Sequence, residues 1–210
     1  KYMRIIGAAG WGLSIFLVLI MSLLFSGYFY LADDLPQLPQ NLSYINYRHP
    51  TEIYSNDGEI IKTLGLRNTV RLNMISWKFQ KAILATEDSR FFSHHGIDPI
   101  AFIRAIWVNI KAGRVVQGGS TITQQLAKNL FFSFDKSWMR KFKELLMAFQ
   151  IETSFSKSSI LEAYSNLAYF GNGAYGVGEA SRKYFGKRSR DINLLQSAML
   201  AGIVKSPNKY

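Results

Sequence analysis

The run from Ile5 to Leu31 contains no charged residue, and it is longer than the roughly 20 apolar residues a helix needs to cross a bilayer. That length predicts a membrane helix and separates a short leader from everything that follows. Lys1 and Arg4 precede the run and Asp33 and Asp34 follow it, which by the positive-inside tendency puts the N-terminus in the cytoplasm and the remainder outside. A cleaved signal peptide is the competing reading, but the run is too long for one and no small-x-small cleavage site follows it. The expectation is an uncleaved, single-pass signal anchor over residues 1–32.

The 210 residues leave room after the anchor for one domain of moderate size with a real core. The chain opens on Lys1 and closes at Tyr210 just after a Ser-Pro-Asn turn, so a fragment of a longer protein is expected. It has no cysteine, which excludes disulfides, zinc-thiolate sites and thiol catalysis. Its net charge of +11 is uneven: Lys111 to Gln150 holds Lys111, Arg114, Lys128, Lys136, Arg140, Lys141 and Lys143 against Asp135 and Glu144. A basic surface beside a membrane anchor attracts anionic lipid headgroups or a phosphate-bearing substrate. The expected topology argues against nucleic acid.

Residues 33–74 read as a linker with a short β element. Leu35 to Pro50 carries three of the five prolines, and Asn56-Asp57-Gly58 inside IYSNDGEII is a hairpin turn signal, with Thr69 to Leu72 as a candidate third strand. From Ile75 to the end the pattern is helical. Trp77 to Thr86 has Phe79, Ala82 and Ile83 on one side and delivers Glu87 and Asp88 at or just past a helix end. Acids there oppose the helix dipole at a cost of about 0.3–1 kcal/mol when exposed, so a functional reason for them carries weight. They open the segment EDSRFFSHHG.

The second notable segment is GGSTITQQLAKN, Gly118 to Asn129. Two glycines make a turn, Ser120 reads as an N-cap, and Thr121, Gln124, Gln125 and Lys128 form one helical stripe opposite Ile122, Leu126 and Leu130. An amide-and-ammonium face turned from the core, with a helix N-terminus beside it, suits an anionic ligand; an ordinary solvated face is the plain alternative.

Other helices follow from local signals. Asp98-Pro99 starts one that Gly113 closes. Its Ile100, Phe102, Ile103, Ile106, Trp107 and Ile110 are apolar on nearly every side, so it is either deeply buried or facing lipid. Trp138, Phe142, Leu145, Leu146 and Phe149 share a face of the next, with Arg140 and Glu144 one turn apart, a spacing that is commonly a surface salt bridge. Ser159 and Glu162 make a capping box, and Asp191 caps a last apolar helix over Ile192 to Val204. GNGAYG, Gly171 to Gly176, matches G-x-G-x-x-G formally, but it follows a helix and opens no βαβ unit, so it reads as a tight helix-helix connection. No spacing around His94 and His95 resembles a metal-ligand set, and no metal site is expected.

Four segments, EDSRFFSHHG, GGSTITQQLAKN, RKFKELLMAFQIE and KSSILEAYSNLAYFGNGAYGV, in that order and spacing, resemble the successive motifs of the peptidoglycan glycosyltransferase domain of class A penicillin-binding proteins and monofunctional transglycosylases. The resemblance covers about Ile53 to the end. It implies a mainly α, lysozyme-like glycosyltransferase domain over residues 75–210, with a small membrane-associated jaw lobe that takes in Ile100 to Ile110. The implied activity is polymerisation of lipid II into β-1,4-linked glycan strands, with inversion and release of a polyprenyl diphosphate, on the extracytoplasmic side of the bacterial cytoplasmic membrane. The implied partners are lipid II, the growing glycan strand, the bilayer and cell-wall synthesis proteins.

By this resemblance Glu87 is the catalytic base, with Asp88 beside it to raise its basicity, and Glu144 is the second functional glutamate. Lys128 and Arg140, with Lys136 ranked lower, neutralise the diphosphate, while Phe91, His94, Ser120, Thr121, Gln124, Gln125 and Asn129 line the substrate site. No cofactor is required, and a divalent cation such as Mg2+ is allowed near the diphosphate. Ser165 stands where the family usually has leucine, and Ser76 where proline is common. IYSNDGEII and GGSTITQQ look more like bifunctional members, so a transpeptidase domain is expected after Tyr210. Two rivals stand: a lysozyme-like lytic glycosidase or transglycosylase acting on existing peptidoglycan, which has no diphosphate to hold, and a membrane-tethered scaffold that binds anionic lipid.

Overall fold

The computed structural model describes residues 11, 12, 14–16, 18, 19, 21, 22, 26, 27, 34–42, 51–64, 69–132 and 137–207. The chain divides into two units, Lys1–Gln37 and Leu38–Tyr210. Most of the expected membrane helix lies outside the described residues; those described between 11 and 27 are helical. Among the described residues no helix is long and apolar enough to cross a membrane.

The second unit begins with an antiparallel pair, β1 (Thr51–Tyr54) and β2 (Ile60–Leu64), in the register Thr51 to Leu64 with a bulge between Ile53 and Tyr54. The turn forms where Asn-Asp-Gly predicts it, with Gly58 at φ 82°. Thr69 to Leu72 does not join as a third strand, because its backbone groups are taken by a helix instead. The Asn166 side chain accepts from Val70 N at 2.8 Å and donates to Val70 O at 2.9 Å, and Glu162 accepts from Leu72 N at 2.6 Å.

Among the described residues the rest is helical: α1 (Trp77–Glu87), α2 (Pro99–Ala112), α3 (Ile122–Phe131), α4 (Trp138–Ser154), α5 (Lys157–Leu167), α6 (Val177–Phe185) and α7 (Leu194–Lys205). α1 packs on α7, and α3 packs on α4 and α5. Phe79, Ile83, Ile122, Leu126, Met147, Ile151, Ile160, Tyr164, Phe170 and Leu200 are buried between them. Burying Ile122 and Leu126 contributes about 1.5–3 kcal/mol each, enough to fix which side of α3 faces inward.

α2 begins and ends as its sequence predicts. Asp98 accepts from Ile100 N and Ala101 N, and Gly113 takes the left-handed C-terminal position at φ 62°. Its apolar surface is not buried: Trp107 is 69% and Ile110 73% exposed, and Ala105 is its one buried residue.

Three caps differ from expectation. α3 is capped by Thr121, because the Ser120 hydroxyl is engaged by Lys141 at 3.0 Å. α5 is capped by Ser156, one turn before Ser159. α7 is capped by Asn193 in a capping box with Gln196, while Asp191 pairs with Arg188 and Arg190.

The face of α4 is also corrected. Its buried residues are Glu144, Met147, Ala148 and Ile151, whereas Trp138 and Phe149 are exposed and Phe142, Leu145 and Leu146 only partly covered. The glycine-rich Gly171–Gly176 connects α5 to α6 by a tight turn in which Phe170 N donates to Ala174 O and Ala174 N to Gly171 O.

Candidate functional site

α1 ends at Glu87, and Asp88 closes it by donating its N–H to Leu84 O. An acid at a helix C-terminus is electrostatically misplaced, but the Asp88 side chain turns to the start of α3, where its Oδ2 accepts from Ile122 N at 3.0 Å. An orphan amide of a helix N-terminus is thereby satisfied by a negative charge, the favourable arrangement. The same carboxylate lies 3.0 and 3.1 Å from His94 Nε2, and both residues are buried.

Glu87 itself faces a cleft of about 570 Å³ whose walls include Thr86, Asp88, Arg104, Val108, Gly118, Gly119, Ser120, Gln125 and Lys205. Its Oε2 accepts from Gln125 Nε2 at 2.8 Å, Gln125 Oε1 accepts from Tyr164 OH at 3.1 Å, and Oε1 of Glu87 is enclosed with no partner among the described residues. Gly119 is pressed on α2, where a Cβ would lie 3.1 Å from Phe102 Cα. Asn109 fastens the preceding strand of loop to α2 through Val116 N, Gln117 N and Gln117 O.

The second glutamate is not a surface residue. Glu144 is 2% exposed, with Lys141 Nζ 3.0 Å from Oε2 and Arg140 Nε 2.9 Å from Oε1, an ion pair that lies off the N–H direction. A buried carboxylate between two cations is costly to break from one side, about 3–5 kcal/mol, so the surface-pair reading of Arg140 and Glu144 is replaced. Lys141 also donates to Ser120 Oγ, which links this ion cluster to the Gly-Gly-Ser wall of the cleft.

The structure therefore brings Glu87, Asp88, Ser120, Thr121 and Gln125 to one cleft and joins Arg140 and Glu144 to it through Lys141. Lys128, one turn beyond Gln125, is half-buried and makes no ion pair among the described residues, and Asn129 is exposed. Four residues expected to line the substrate site stand in or behind its walls. Thr121 and Gln124 are 2% and 4% exposed and donate to Gly96 O at 2.6 and 3.3 Å, so the polar stripe of α3 splits rather than turning wholly outward. Phe91 is core, with Lys157 Nζ 4.3 Å from its ring centroid, and His94 is buried on Asp88. Lys136 lies outside the described residues.

Sequence reasoning missed Arg104, Lys141, Tyr164 and Lys205. Lys141 had a signal, since it precedes Glu144 by one turn; Lys205, in the last turn of α7, and Arg104, on the apolar α2, had only their charge. The buried trio Asp88, His94 and Asp98 has ligand atoms within 4.8 Å of one another. It does not suit a metal ion, because Asp98 already accepts from two backbone amides and pairs with Arg90 at 3.1 Å, and Asp88 holds Ile122 N and His94. Glu144, held by two cations, does not suit one either.

Comparison with known proteins agrees with this geometry. The transglycosylase family matches residues 57–210. The chain is 40% identical to penicillin-binding protein 1A of Vibrio cholerae over 91% of its length, 47% to penicillin-binding protein 1A of Aquifex aeolicus over 76%, and 45% to penicillin-binding protein 1A of Escherichia coli over 83%. It spans 23%, 22% and 21% of those relatives. The chain belongs to the transglycosylase family, as the peptidoglycan glycosyltransferase domain of class A penicillin-binding proteins.

Proposed function

We propose that this chain polymerises lipid II into β-1,4-linked glycan strands as the glycosyltransferase part of a bifunctional, membrane-anchored penicillin-binding protein. The observation that carries the reading is Glu87: a carboxylate at the end of α1, in the wall of a cleft and held there by Gln125. The 4-hydroxyl of an acceptor GlcNAc approaches it from the cleft. Its proton passes to Glu87 as its oxygen bonds to the anomeric carbon of the donor MurNAc. The bond from that carbon to the diphosphate breaks on the opposite face, and the electron pair leaves with the diphosphate. Inversion converts an α-linked diphosphate into a β-linked sugar.

The departing charge needs cations. Lys128, unpaired among the described residues, and Arg140 are assigned to it, with Glu144 holding Arg140 and Lys141 in place, and Arg104 and Lys205 adding positive charge to the cleft wall. Ser120, Gln125 and Asn129 are assigned to the sugars. The exposed apolar face of α2 lies on the outer leaflet, where the polyprenyl tail of the substrate is dissolved, and the charge-free run Ile5–Leu31 anchors the chain to the cytoplasmic membrane. A lytic enzyme acting on finished peptidoglycan meets no diphosphate and has no use for these cations.

The test is polymerisation of labelled lipid II in detergent by this chain and by its Glu87→Gln variant. Long glycan chains from the wild type and none from the variant are expected. Soluble muropeptides from purified sacculi, with no polymer from lipid II, would establish the lytic alternative. The bifunctional assignment fails if the full coding sequence holds no penicillin-binding domain beyond Tyr210.

A further inference from the structure

We infer that Gln125 and Tyr164 are positioning residues that fix the plane of the Glu87 carboxylate for the acceptor's proton. The inference rests on Glu87 being the base and assigns the side chains that hold that base in place.

Three helices each supply one group to a single line of hydrogen bonds. Tyr164 OH on α5 donates to Gln125 Oε1 on α3 at 3.1 Å, and Gln125 Nε2 donates to Glu87 Oε2 at the end of α1 at 2.8 Å. The final torsion of a glutamate is broad, so without a fixed donor the plane of the carboxylate would turn freely. The donor from Gln125 to Oε2 removes that freedom. Oε1 is enclosed and has no partner among the described residues, so among those residues the plane of the group is set by the bond from Gln125.

Tyr164 decides the orientation of the Gln125 amide. A flipped amide would turn its carbonyl toward the Glu87 carboxylate, oxygen against oxygen, and abandon the phenol's proton. Tyr164 is 1% exposed, so it is held by the core rather than by the cleft. Burial first, and the negative charges of Glu87 and Asp88 next, push its phenol pKa up, which keeps the donating proton in place at working pH. Neither side chain supplies or removes a proton in the reaction; the pair sets an angle.

The experiment measures steady-state polymerisation of lipid II in detergent by the wild type and by Gln125→Met, Tyr164→Phe, the double variant and Glu87→Gln, with thermal melting for each. Tyr164→Phe should lower kcat about tenfold with KM within about twofold, and Gln125→Met should lower kcat about a hundredfold. The double variant should be no slower than Gln125→Met alone, because the phenol acts only through the amide. Losses that multiply in the double variant, a rise in KM in place of a fall in kcat, or full activity in Tyr164→Phe would overturn the inference. An inactive Glu87→Gln beside an active Gln125→Met would sink the positioning role alone, whereas an active Glu87→Gln would sink the base assignment beneath it. Should Gln125→Met not fold, Tyr164→Phe keeps its ring in the core and reads the same split between kcat and KM.

Discussion

The carbonyl of Gly96 accepts the hydroxyl of Thr121 at 2.6 Å, and that bond joins the end of the EDSRFFSHHG segment to the first turn of α3. The approach is possible only for glycine. Gly96 has φ 85°, and a Cβ there would lie 2.9 Å from the backbone oxygen of Ala148 on α4. Gly96→Ala should cost at least about 2 kcal/mol, strain and displaced backbone together. That corresponds to a fall in melting temperature of about 4 °C or more for a domain of this size. A melting curve superimposable on the wild type would show that the loop yields more easily than its packing implies.

Asp98 gives the domain a dependence on acid. Burial raises its pKa, but the amide of Ala101, the charges of Arg90 and His94 and the amide of Ile100 outweigh it, leaving the carboxyl below its ordinary value of 3.8. A carboxyl lowered in the folded state contributes stability above its unfolded pKa and loses it as pH falls through the folded one. Asp98→Asn should therefore flatten the loss of stability between about pH 5 and pH 2, and cost up to about 1 kcal/mol at neutral pH by removing the charge that pairs with Arg90. Urea titrations at stepped pH measure both, and parallel acid limbs would contradict the assignment.

Ser76 precedes α1 as its N-cap residue, and its bonds say what a proline there would lose. Its N–H donates to Ser189 O at 3.0 Å and its hydroxyl to Ile192 O at 3.2 Å. A proline removes both bonds, about 0.5–1.5 kcal/mol each, and regains only about 0.4–1 kcal/mol by stiffening the unfolded chain. Ser76→Pro should be net destabilising and Ser76→Ala somewhat less so, as read from denaturant midpoints. A stabilised proline variant would mean that these two bonds are weak.

The face of α2 can be tested apart from the chemistry. Replacing Ile103 and Trp107, 65% and 69% exposed, with lysine should leave the melting temperature nearly unchanged, because neither supports the core. In a chain lacking the charge-free run Ile5–Leu31, binding to neutral phosphatidylcholine vesicles should fall at least about tenfold, since burying two large apolar groups contributes about 1.5–3 kcal/mol each. Unchanged co-sedimentation would move the lipid contact elsewhere.

Elements with strong local punctuation were legible from residue order alone: α1 ending at Glu87, α2 between Asp98-Pro99 and Gly113, and the hairpin at Asn56-Asp57-Gly58. Caps slipped where several polar residues stand together, because the choice among them is tertiary. Ser120 loses the α3 cap to Thr121 once Lys141 takes its hydroxyl, and Asp191 loses the α7 cap to Asn193 once arginines take its carboxylate. The face of α4 was misread because hydrophobic spacing reports which residues tolerate burial. Glu144 is buried by its ion partners, which lie outside any such pattern.

The site shows the same division. The place of Glu87 at a helix end was legible because an acid there is locally unfavourable. The covered positions of Thr121 and Gln124 were not, since they depend on a glycine carbonyl 25 and 28 residues away. Nothing in the order of residues marks Tyr164 as standing behind Gln125.

The salt bridge of Arg90 with Asp98 ties the cap of α2 to the segment that starts at Glu87. On the proposed seating of that helix's outer face in lipid, the height of Glu87 above the bilayer is a dimension of the folded domain, and α2 acts as its depth gauge.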